Sequence, residues 1–274
     1  MKLRGVRRSR NIEDRRRSGG GGLKISGLGL LAVLAISYFT GVDVTALLDG
    51  GGTTYEGELT PAEEKSADFS AAVLGTTETV WTGIFRDQLG EAYVPPKLVL
   101  FSGATASPCG GASGATGPFY CPADEKAYLD TAFFATLQQQ LGAKGDFAAA
   151  YVIAHEVAHH VQNEIGILPQ VNRLRQSASQ VESNALTVRL ELQADCLSGV
   201  YARNVEGLLE PGDIDEALNA ARRIGDDYLQ SRAGRVPQPH TFTHGTSEQR
   251  SRWFARGFET GDVNDCDTFG AERL

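Results

Sequence analysis

Between Lys24 and Asp43 the chain runs for 18 residues without a charge, ISGLGLLAVLAISYFTGV. As a helix rising 1.5 Å per residue, this stretch covers roughly 27 Å, close to the hydrocarbon thickness of a bilayer. It predicts one transmembrane helix over 25–42. A cleaved signal peptide is a second reading, with Ala35-Ile-Ser37 as a faint cleavage site, and a buried core helix is a third. Runs of glycine at 19–22 and 50–52 flank the stretch and lack the Lys-Ser/Thr of a phosphate-binding loop. They read as hinges, with 43–59 as a linker.

Past the linker the pattern turns amphipathic and mostly helical. Thr60-Pro61-Ala62-Glu63 combines an N-cap, a first-turn proline and a capping-box glutamate, which opens a helix that Gly90 stops. KLVLFS at 97–102 predicts a short strand, and 119–121 and 126–129 predict two more. Residues 103–118 are Gly, Ala, Ser and Thr and read as loop. Further helices are predicted near 131–141, 146–165, 173–208, 213–230 and 247–260, with Asp213 and Thr246 as N-caps. The fold class is α+β, mostly α: one domain over 60–274 with a small sheet, preceded by the membrane helix.

Charge sharpens this picture. The 274-residue chain has a formal net charge of −8. Residues 1–24 carry nine basic and two acidic side chains, and the remainder is strongly acidic. Basic residues on the N-terminal side of a single span predict a tail 1–24 in the cytoplasm and a body outside it. Topology and anionic lipid account for the arginines better than nucleic acid does, and no nucleic-acid partner is expected. All four cysteines follow the span. Cys109 with Cys121 and Cys196 with Cys266 is the favoured pairing among three.

The chemistry sits in YVIAHEVAHHVQNE. His155 and His159 are four residues apart and share one helical face, where two imidazoles can take two tetrahedral positions of a Zn²⁺ ion. Glu156 lies about 100° round the helix, placed to take a proton from water and hand it to the leaving amine. Val152, Ile153, Val157, Ala158 and Val161 would pack that helix into the core. The longer motif HExxHxxGxxH is excluded, because Gln162 and Ile165 stand at its glycine and third histidine. Glu191 in LELQAD is the best third ligand, with Glu164 and Glu182 as rivals. Asp195, one turn on, is placed to accept from a ligating histidine. His160 is off the ligand face. His244 and Arg250, in HTFTHGTSEQR, are each candidates either for the oxyanion of a tetrahedral intermediate or for a structural cap or ion pair.

HEVAHHVQ, LELQADC and FTHGTSEQR, with CGGASGATGPFYCPAD upstream, resemble the bacterial putative neutral zinc metallopeptidases. The resemblance covers nearly the whole chain and implies a zincin-like domain. It also implies one zinc held by His155, His159 and Glu191, with Glu156 as general base. The Glu-x-x-x-Asp element is also similar to that of the membrane CAAX-prenyl-type proteases. The expected function is a membrane-anchored zinc endopeptidase acting on protein or peptide outside the bacterial cytoplasmic membrane. A silent zinc-binding scaffold of the envelope and an amidase acting on cell-wall amides are the alternatives.

Overall fold

A computed structural model of the chain describes residues 1–17, 58–113, 117–205 and 207–274. The expected membrane helix over 25–42 and both flanking glycine runs lie outside the described residues. Among the described residues no helix is long and apolar enough to cross a membrane.

Among the described residues, six strands and eight α-helices follow in chain order. The strands are β1 (Ile12–Asp14), β2 (Lys97–Phe101), β3 (Ala104–Ser107), β4 (Gly110–Ser113), β5 (Phe119–Cys121) and β6 (Lys126–Asp130). The helices are α1 (Pro61–Ile84), α2 (Phe133–Gln139), α3 (Asp146–Glu164) and α4 (Ile167–Arg175), then α5 (Gln180–Asn204), α6 (Asp213–Arg223), α7 (Asp226–Arg232) and α8 (Ser247–Thr260). The fold is thus α+β and dominated by helices, as the sequence predicts.

The sheet has the order β1-β2-β6-β5, with β1, β2 and β6 parallel and β5 antiparallel. Alternation along the central strands separates two faces. Leu98, Leu100, Ala127 and Leu129 join the main core with the helices. Val99, Phe101 and Tyr128 form a smaller cluster on the opposite face, with Ala112 of β4. Residues 103–118, expected as loop, contain the β3–β4 hairpin. Small residues give no apolar alternation to read, yet their backbone groups pair across the hairpin. The Cys109–Cys121 disulfide ties it to β5, and Cys196–Cys266 ties α5 to the C-terminal segment.

Helix α3 is buried from Phe147 to Gln162. Its start is held by Glu216, which accepts from the Phe147 N–H at 3.0 Å. A Cβ at the preceding Gly145 would lie 1.9 Å from the Glu216 carboxyl carbon, and Gly145 has φ +102°. The positive φ favours glycine there, and a side chain would also displace the Glu216 carboxylate.

Three expected elements are corrected. The helix expected over 173–208 is two, α4 and α5. Ser179 and Glu182 form a reciprocal capping box at the start of α5, so the chain must restart there. The helix expected over 213–230 breaks at Gly225, where a Cβ would meet Ser247 N at 2.4 Å. Gly212, not Asp213, is the N-cap of α6. The caps at Thr60 and Thr246 are as expected, each with its full capping box.

The basic N-terminal residues, expected as a separate tail, pack on the body over residues 1–17. Strand β1 adds to the sheet beside β2, and Ser9 donates its N–H to the Ala71 carbonyl at 2.9 Å. The Met1 amino group meets Asp146 at 2.8 Å, Glu210 at 2.9 Å and Asp213 at 3.3 Å.

Helices α5 and α8 touch backbone to backbone. A Cβ at Gly199 would lie 2.1 Å from the Phe254 carbonyl oxygen, and one at Gly257 would lie 1.9 Å from that of Cys196.

Candidate metal centre

Three side chains converge between α3 and α5. His155 Nε2 lies 3.1 Å from one carboxylate oxygen of Glu191, and His159 Nε2 lies 3.4 Å from the other. Ligand atoms of the three residues lie within 4.8 Å of one another. Zinc bonds of about 2.1 Å in a tetrahedron place neighbouring ligand atoms about 3.4 Å apart, so the trio fits the ion's coordination edges. Neither rival glutamate belongs to the trio. Glu182 is consumed by its capping box with Ser179, and Glu164 is the last residue of α3.

Each histidine has a partner behind it. His159 Nδ1 lies 2.8 Å from Gln162 Oε1, which accepts from it and leaves Nε2 free for a metal. The Gln162 amide is fixed in turn by donating to the Leu190 carbonyl at 2.7 Å and to Gln193 Oε1 at 3.0 Å. His155 Nδ1 lies 3.0 Å from Asp195 Oδ1. That contact misses hydrogen-bond alignment, so His155 Nδ1 is a buried polar atom without a hydrogen bond.

Asp195 is wholly buried and serves three groups. Arg250 grips it with Nε at 2.8 Å and Nη2 at 3.0 Å, and the Tyr151 hydroxyl donates to it. Burial alone would raise the Asp195 carboxyl; Arg250 and His155 outweigh it and lower it. Arg250, itself 1% exposed, thus takes the ion-pair alternative of its two expected roles.

The electrostatics of the trio follow the same logic. Burial pulls the His155 imidazole down, but Asp195 and Glu191 overcome this and raise it to about 10. Burial pushes Glu191 up, and the two imidazoles reverse this to well below the ordinary carboxylate range. Glu156 behaves oppositely: burial raises its carboxyl, and among the described residues that carboxyl accepts no hydrogen bond.

His244 sits in the segment before α8. Its neighbour Gly245 packs on α5, where an added Cβ would lie 3.2 Å from Leu192 and 3.3 Å from Val188. This places Gly245 against the turn of α5 that carries Glu191. Asp226 holds the segment by accepting the N–H groups of Thr243, His244 and Gly245, at 2.8, 2.6 and 3.0 Å. Its other oxygen lies 3.4 Å from His244 Nδ1. Burial would lower His244, but Asp226 and Glu191 raise it. His160 points away: Nε2 donates to the Val94 carbonyl at 2.6 Å, and Nδ1 lies 3.1 Å from the Tyr120 hydroxyl.

The sequence alone assigns no role in the site to Tyr151, Gln162, Gln193 or Asp226. Two carried a usable signal: Tyr151 is four residues before His155 and Gln162 is three after His159, both on the ligand face. Gln193 and Asp226 reach the site only through tertiary packing.

A family model described as putative neutral zinc metallopeptidase matches residues 1–269. The uncharacterized Escherichia coli K12 protein YpfJ is 47% identical over 98% of this chain and 99% of its own. The uncharacterized Mycobacterium tuberculosis protein Rv2575 is 45% identical over 66% of this chain and 65% of its own. No solved structure matches. With its HExxH helix, its converging glutamate and a match from residue 1 to 269, this chain belongs to the putative neutral zinc metallopeptidase family.

Proposed function

We propose that the protein is a zinc-dependent endopeptidase that hydrolyses peptide bonds with Glu156 as general base. One observation carries this reading. His155 Nε2, His159 Nε2 and the Glu191 carboxylate converge at ligand spacing, with the Glu156 carboxyl, raised by burial, next to His155 in the chain. Zinc held by these three side chains would supply Lewis acidity to the carbonyl under attack.

The chain's own residues do the rest. Burial raises the proton affinity of Glu156, which suits a group that accepts a proton from water and passes it to the leaving nitrogen. The Asp226-oriented His244 keeps its proton to higher pH than a free histidine and can donate to an oxyanion. Arg250 is spent on Asp195 and acts through it, as a positioning residue for His155. A silent scaffold has no need of a proton-accepting carboxyl beside the three converging side chains.

We place the folded body outside the cytoplasm and at the membrane. The two disulfides support an oxidising compartment, and the uncharged stretch 25–42 supports membrane attachment.

The test is zinc content and turnover of the purified full-length chain. Residues 1–17 complete the sheet, so a truncated body is not equivalent. Wild type should hold one zinc and cleave casein or a denatured protein. Glu191→Ala should lose or weaken zinc. Glu156→Gln should keep zinc and lose turnover by about 10²–10⁴-fold. Wild type that takes up no zinc sinks the proposal. Cleavage of cell-wall fragments with no action on protein would replace the peptide bond with another amide.

A further inference from the structure

The N-terminal 17 residues carry eight basic side chains, the composition that predicts retention in the cytoplasm. The body nonetheless has a shaped seat for them. On α1, Gly75 admits the segment: an added Cβ would stand 2.2 Å from the Arg7 carbonyl oxygen. One turn on, the buried Glu78 receives Arg7, the Ser9 hydroxyl and the Asn11 amide. Beyond it, β1 pairs residue for residue with β2, from Ile12 with Leu98 to Asp14 with Leu100.

The charges are matched as well. Arg7, Arg8 and Arg17 meet Glu78, Asp68 and Glu64 on α1, while Lys126 of β6 reaches Glu13. Exposed ion pairs contribute little each. The buried partners carry the docking: Ser9 is 7% exposed and Arg16 is 5%.

The end of this segment sets a geometric limit. Arg16 donates to the Glu63 carbonyl at 2.9 Å, and Arg17 lies 3.3 Å from Glu64. Residue 17 and the first turn of α1 are therefore in direct contact. One crossing of the bilayer between them would separate them by about 30 Å. Docking and a single crossing exclude each other.

We infer that residues 1–17 are a built-in arm of the folded body and lie on the same side of the membrane as that body. This corrects the arrangement that charge bias alone predicts, with the basic end inside and the body outside. It is independent of the peptidase reading, because it uses no residue of the metal centre.

Two measurements test it on the full-length chain. In the first, Arg10→Cys in the arm and Glu259→Cys in the body, both exposed positions, meet a membrane-impermeant maleimide in spheroplasts before and after lysis. The same labelling pattern at both positions is expected; labelling on opposite sides overturns the inference. Recovery of the protein in the soluble fraction would remove the membrane attachment proposed above without touching arm docking. In the second, hydrogen exchange is followed in the purified chain at the Ser9 and Arg15 amides, which donate to Ala71 and Leu100. Protection is expected, with at least a tenfold acceleration in Gly75→Ala. Gly83→Ala on the same helix, where a Cβ meets nothing within 4 Å, should leave the arm unchanged. Wild-type arm amides that exchange at free-peptide rates overturn the inference, even if Gly75→Ala fails to fold.

Discussion

Gln162 holds His159 by its far nitrogen, 2.8 Å from amide oxygen to Nδ1, and so dictates which nitrogen faces Glu191. The residue whose presence excludes the longer three-histidine motif is thus the one that orients the second histidine. Gln162→Leu should weaken zinc binding by about 10–100-fold, the usual cost of losing such a partner. Competition against a chromophoric chelator measures this, with circular dichroism to show that the fold persists. Undiminished affinity would mean that His159 is oriented by helix packing alone.

Arg250 and Asp195 are both buried and joined through two nitrogens. Arg250→Met leaves the Asp195 charge without its main partner and should destabilise the fold by about 3–5 kcal/mol. Arg250→Lys should rescue little of this, because an ammonium cannot reproduce the two-pronged contact. Urea unfolding at constant pH gives both values.

The helical ligand set was legible because its spacing is local. His155, Glu156 and His159 fall in one turn of α3, and Glu191 and Asp195 in one turn of α5, so sequence distance alone puts each group on a common face. The capping boxes at Thr60 and Thr246 were legible for the same reason. The equivalent box at Ser179 lies inside a run of good helix formers that mask the break between α4 and α5. The arm was illegible in principle. Its basic residues look like a topological signal, and only the tertiary fold supplies Glu78, Asp68 and Glu64 to meet them. Strand β1 offers three residues, too few for a period to show.

The Asp226–His244 pair gives the segment before α8 a defined pH window. Asp226 is held below its ordinary value, so its share of stability is complete above the unfolded value of about 3.9 and fades as pH falls through the folded one. His244 is raised, so its share is complete below about 6.5 and fades as pH rises through its higher folded value. Exchange of the Gly245 amide should therefore be slowest between about pH 4 and 6.5, after correction for intrinsic rates. In Asp226→Asn that window should vanish, and turnover should fall while zinc is retained.

The two disulfides close loops of different length, with sequence separations of 12 and 70. On chain entropy, they restrict the unfolded state by about 3 and about 4 kcal/mol respectively. Replacing Cys196 and Cys266 by serine should lower the denaturation midpoint more than replacing Cys109 and Cys121. The reverse order would show that the hairpin staple does its work in the native state.

The bare contact between Gly199 and the backbone of α8, and between Gly257 and that of α5, has a consequence for mutational history. Neither position touches His155, His159 or Glu191, yet a single methyl at either forces the two helices apart. Those helices carry Glu191 and Asp195 on one side and Arg250 on the other. In a saturation library scored for peptidase activity, positions 199 and 257 should therefore tolerate substitution as poorly as the ligands themselves.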